Sequence, residues 1–81
     1  MVPKVIEVRC VSPFIIHVRF AAGVNGEIDL ENELHGEVFE PLRDPAYFKR
    51  VSVHPERHTT TWPTGADFAP EFLRDRIRLL V

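Results

Sequence analysis

VIEVRCVSPFIIHVRF (residues 5–20) is the stretch that sets the fold. Ile6, Val8 and Cys10 recur at every second position, and Phe14, Ile16, Val18 and Phe20 do so after them, with Ile15, His17 and Arg19 on the opposite side. A period of two is that of a strand buried on one face. Ser12-Pro13 divides the runs, and Pro presets φ and removes a hydrogen-bond donor where a ladder must break. The segment therefore predicts an antiparallel hairpin.

Working outward, AAGVNG (residues 21–26) supplies Gly23, Asn25 and Gly26, residues that accept positive φ in a turn. Beyond it Ile28 and Leu30 alternate with Glu27, Asp29 and Glu31, which predicts a third strand and completes a meander. The period then changes. Leu34, Val38, Phe39 and Leu42 fit one helix face, but Gly36 and Pro41 restrict that helix to a turn or two, of tight geometry. Asp44-Pro45 reads as an N-cap followed by Pro at the first helical position, opening a short turn through Ala46, Tyr47 and Phe48. Val51 and Val53 flank Ser52, HPER (residues 54–57) turns, and residues 59–62 run β-branched and aromatic, so a second hairpin is expected. Phe68, Phe72, Leu73, Ile77 and Leu80 fall near helical spacing from Pro70 onward, and Asp67 stands where it would cap that helix or hold the turn before it. The expected class is α+β: a small antiparallel sheet of four or five strands, built as a meander plus a hairpin, with one or two short helices and a C-terminal helix.

The 81 residues suit a single domain over residues 1–81. A core of this size typically supplies only about 3–5 kcal/mol of net stability, and Cys10, the lone cysteine, cannot close an intrachain bridge. With a disulfide excluded among the usual supports of disulfide, metal or second subunit, self-association or a partner is expected. The first residues show no basic region followed by an apolar core, and no apolar run approaches the ~20 residues of a membrane span, so a cytoplasmic protein is expected. Net charge is −2, which gives no electrostatic reason to expect nucleic acid as a ligand of the isolated domain. Acidic residues crowd the middle: Glu27, Asp29, Glu31 and Glu33 form a candidate partner surface, and Glu37, Glu40 and Asp44 follow. Arg74, Arg76 and Arg78 sit near the C-terminal end, where a helix would fan them and an extended tail would align them.

Few residues propose chemistry. His54 and His58 form H-x-x-x-H, a zinc-binding spacing on a helix, but Pro55 between them indicates a turn, and no third ligand sits nearby. Cys10 lies on an apolar strand face, and Ser12 and Ser52 lack a context that would activate them. No catalytic, cofactor-binding or metal-ligating residues are expected, and the chain does not read as an enzyme. Trp62-Pro63-Thr64-Gly65-Ala66-Asp67 is the densest cluster of unusual residues. Pro63 and Thr64 suit the centre of a turn, Gly65 supplies positive φ, and Trp62 and Asp67 flank it, so Trp62, Thr64, Gly65 and Asp67 are candidate turn, cap or ligand positions.

That cluster also carries a resemblance. Phe20 before Gly23, then Phe39, Leu42, Asp44 and Phe48 in the pattern F-x-x-L-x-D-x-x-x-F, then W-P-T-G-A-D with Pro70, Glu71 and Leu73 after it, resemble the small bacterial domain-of-unknown-function family 2442 over nearly the whole chain. Thr64 stands where that family favours Asn, and Arg74 where a Tyr is frequent. The resemblance implies a compact α+β domain, found alone or fused to a helix-turn-helix and often encoded beside a second small protein, as in toxin–antitoxin pairs. It implies no catalytic residue. With no room for a helix-turn-helix before Val81, any role on DNA is expected to come from the domain itself or its partner. The leading expectation is a protein-interaction module resembling an antitoxin-like partner, binding another small protein or itself. The alternatives are a small-ligand or enzymatic site near Trp62 and Asp67, and a homo-oligomeric structural domain.

Overall fold

A computed structural model describes residues 3–77. Strands β1 (Val5–Ser12), β2 (Ile15–Phe20) and β3 (Asn25–Asp29) form an antiparallel sheet in the order β1-β2-β3. Short 3₁₀ turns follow at Glu31–Glu33 and Glu40–Arg43, then helix α1 (Pro45–Phe48). Strands β4 (Ser52–Val53) and β5 (Thr60–Thr61) pair as a second, two-stranded sheet, and helix α2 (Pro70–Arg76) closes the described chain. The α+β class and the meander-plus-hairpin plan are thus what the sequence pattern predicts. Among the described residues no helix is long and apolar enough to cross a membrane.

The first strand departs from its simple alternation. Pairing runs Val5 with Phe20, then Glu7 with Arg19, so Ile6 is an extra residue with no partner on β2. Such a bulge flips the register by one. Val5 rather than Ile6 therefore enters the core, and Ile6 is 52% exposed. A second irregularity between Cys10 and Ser12 leaves Val11 exposed. At the Pro13-Phe14 turn Phe14 adopts φ 67, a conformation that bulky residues rarely take. Two contacts hold it there: its carbonyl accepts the Leu30 N–H at 2.7 Å, and its ring meets Phe48 edge-on at 5.5 Å.

That ring contact begins an aromatic chain through the molecule. Phe48 lies 5.4 Å from Trp62, Trp62 lies 5.9 Å from Phe68, and Phe68 contacts Phe39 at 5.0 Å and stacks on Phe72 at 5.4 Å. The meander, α1, the second hairpin and α2 are tied together in this way. The expected cap of α1 is present: the Asp44 carboxylate accepts the Ala46 N–H at 3.0 Å, with Pro45 opening the helix. Between residues 34 and 42 no continuous helix forms; Leu34 and Leu42 are buried, whereas Val38 is exposed, because Gly36 at φ 90 and Pro41 interrupt the chain. In α2, Pro70 takes the first position and Leu73 is buried; Arg78 and Leu80, assigned to this segment from the sequence, lie outside the described residues.

Among the described residues one buried side-chain group is unsatisfied. The Thr60 hydroxyl is fully enclosed and has no hydrogen-bond partner among the described residues. Since an orphaned buried hydroxyl costs about 1–3 kcal/mol, Thr60→Val should stabilise the domain by about 1 kcal/mol, read as a raised urea midpoint at unchanged m-value.

Candidate interaction surface

The Trp62 cluster is built inward. Gly65 N–H donates to the Trp62 carbonyl at 2.8 Å and Trp62 N–H to the Ala66 carbonyl at 3.0 Å, closing a three-residue loop of Pro63, Thr64 and Gly65. Gly65 has φ 92, the left-handed position that such a loop requires, and open space surrounds the site of a Cβ. Gly65→Ala should therefore cost roughly 1–2 kcal/mol through backbone conformation alone, with no steric clash, measurable by urea unfolding. The Thr64 hydroxyl accepts the Ala66 N–H at 3.4 Å, and Thr64 itself keeps negative φ. Trp62 is buried, and its indole N–H donates to the Phe48 carbonyl at 2.7 Å.

Of the two roles expected of Asp67, capping α2 or holding the turn before it, the cap is not the one it takes. The loop is the tip of a further hairpin, in which Asp67 pairs with Thr61 across an isolated bridge. The N-cap of α2 is Ala69, with no side-chain cap bond. The Asp67 carboxylate instead meets the Arg57 guanidinium at 2.6 Å. Arg57 is delivered by the turn between β4 and β5, where His54 does unforeseen work: its Nδ1 accepts the N–H groups of Glu56 and Arg57, each at 3.1 Å. His58 closes that turn at φ 54 and passes its carbonyl to the Val5 N–H at 2.8 Å, joining the hairpin to β1. Among the described residues no group of three or more His, Cys, Asp or Glu stands where it would hold a metal.

The acidic residues are brought together along β3. Among the described residues this strand is the last in its sheet, paired on one side only. Its ladder with β2 can be phased from its ends, because Phe20 N–H donates to the Val24 carbonyl at 2.8 Å and Leu30 N–H to the Phe14 carbonyl at 2.7 Å. Antiparallel pairs alternate between bonded and non-bonded. In this register Val18–Gly26 and Ile16–Ile28 are the bonded pairs, so the backbone groups of Asn25, Glu27 and Asp29 point away from β2, toward the free edge. Their side chains are exposed, while Ile28 and Leu30 are buried.

Immediately beyond, the Asp29 carboxylate accepts the Glu31 N–H at 3.0 Å, and Glu31 is exposed. Glu33 is engaged by Arg76 at 2.7 Å, and the Arg76 guanidinium also lies 4.8 Å from the Phe72 ring centre. Thus Glu27, Asp29 and Glu31 remain outside the ion pairs of the described residues, and Glu33 belongs to a clamp on α2. The cations are dispersed: Arg19 pairs with Glu7 at 3.1 Å, Arg57 with Asp67 and Arg76 with Glu33, while Arg74 is exposed on α2 and Arg78 lies outside the described residues.

A family model described as "Protein of unknown function (DUF2442)" matches residues 5–78. No curated protein matches the chain. The crystal structure of "Putative DNA Binding Protein NE0471" from Nitrosomonas europaea is similar to this fold, with a TM-score of 0.69 and 26% sequence identity over 93% of this chain. The chain spans 46% of that protein's length.

Proposed function

The chain belongs to the DUF2442 family of proteins of unknown function, and from its own surfaces we propose that it is a non-catalytic protein-interaction module that takes a basic, extended segment of a partner protein onto the free edge of β3. The carrying observation is the coincidence, at Asn25, Glu27 and Asp29, of outward backbone groups with exposed, mostly acidic side chains. An added strand would gain ladder hydrogen bonds from the backbone and selectivity from its own Lys or Arg opposite Glu27 and Asp29. The same charges oppose pairing with a second copy. An antiparallel β3–β3 contact centred on Glu27 sets Glu27 against Glu27, and one centred on Ile28 sets Glu27 against Asp29. Like charges directly opposite are destabilising. A separate protein is therefore favoured, of the kind paired with an antitoxin-like partner.

The test is capture of the native partner by wild type and by Glu27→Lys/Asp29→Lys, followed by mapping of the bound segment. Loss of a Lys- or Arg-rich segment from the variant is the expected result. Retention of the same partner by the variant would overturn the reading. The description carried by the Nitrosomonas europaea protein favours a second reading, contact with DNA. Net charge of −2 and the pairing of Arg19, Arg57 and Arg76 with carboxylates weigh against this domain supplying that contact. Salt-dependent binding of duplex DNA by the isolated chain would reverse the order of the two readings.

A further inference from the structure

Away from β3 and its partner surface, a cavity of about 310 Å³ opens where the N-terminal segment, the turn joining β2 to β3, and α2 meet. Pro3, Phe20, Ala21, Ala22 and Val24 give it apolar walls, and Lys4 and Arg74 are the charged residues described in its lining. Its size is at the lower end of small-molecule sites. The walls are preformed by backbone bonds: Ala21 N–H donates to the Lys4 carbonyl at 2.9 Å, Phe20 N–H to the Val24 carbonyl at 2.8 Å, and Gly23 N–H, at φ 96, to the Phe20 carbonyl at 2.9 Å. Neither Lys4 nor Arg74 has an ion-pair partner among the described residues, unlike Arg19, Arg57 and Arg76. Glu71 and Asp75 line a neighbouring depression with Arg74 and Pro3, and neither lines this cavity.

We propose that the cavity binds a small organic carboxylate with an alkyl or aryl tail. The apolar walls would take the tail, whose burial supplies the favourable free energy, and the two cations would hold the carboxylate. A bare inorganic anion gains nothing from such walls, and an organic cation meets like charge. The assignment is independent of the β3 edge.

Octanoate titrated into ¹⁵N-labelled protein tests it, with the amides of Ala21, Ala22 and Gly23 as reporters. Saturable shifts are expected at these residues, with affinity weakened about fivefold or more in Lys4→Gln/Arg74→Gln. Ala22→Asp, which adds a negative charge to the cavity lining, should abolish them. All three positions are exposed, and a thermal melt confirms that the variants fold. The proposal is overturned by absence of saturation up to ~20 mM, by equal binding of octylammonium or octanol, by binding insensitive to the double variant, or by a peptide ending in leucine that saturates where octanoate does not.

Discussion

Trp62→Ala is expected to leave the domain unfolded at room temperature. Truncating a buried Trp costs about 3–5 kcal/mol, as much as a core of this size is expected to supply. The loss is concentrated because Trp62 is the central link of the aromatic chain, touching Phe48 on one side and Phe68 on the other. Its indole N–H also satisfies the Phe48 carbonyl at the end of α1. Trp62→Phe separates these contributions: ring contacts persist, but the carbonyl loses its donor, at about 1–3 kcal/mol. Urea unfolding followed by circular dichroism should therefore rank wild type, Trp62→Phe and Trp62→Ala in descending stability. A stable Trp62→Ala would show that the aromatic chain is not what holds the two hairpins and α2 together.

Glu27→Pro should fold and lose its partner. The Glu27 N–H faces the free edge, so proline there removes no bond to β2, and edge strands tolerate proline at such a position. A strand added at that edge would lose a backbone donor and meet the pyrrolidine ring. Affinity should fall at least tenfold, a change of about 1.4 kcal/mol. Glu27→Gln, which keeps the N–H and removes only charge, should weaken binding less. Proline at Ile28, whose N–H belongs to the β2 ladder, should destabilise the sheet itself. Undiminished binding by a well-folded Glu27→Pro would exclude strand addition at this edge.

The meander and second hairpin were legible because strict alternation, Pro13 and the residues around Gly23 and Asn25 all specify the same local structure. Val5 was not, because the bulge at Ile6 is a property of pairing with β2, and the alternation within β1 alone selects the other face. Asp67 shows the same limit from another side. Asp a few residues before Pro70 reads locally as a cap, yet its actual partner, Arg57, arrives through a turn held by His54. The acidic residues were visible as charge alone. That their backbone groups also point away from β2, with no partner among the described residues, follows from the strand order and the phase of the ladder. The cavity was invisible for a similar reason, since Pro3, the turn after β2 and Arg74 meet only in three dimensions.

Residue-resolved amide exchange, in the free protein and with its captured partner, tests the strand-addition account most directly. Free protein should show rapid exchange at Asn25, Glu27 and Asp29 and slow exchange at Gly26 and Ile28, the alternation that the ladder phase dictates. Partner binding should slow Asn25, Glu27 and Asp29 selectively. Protection that leaves these amides unchanged and appears instead on α2 or the second hairpin would contradict the account.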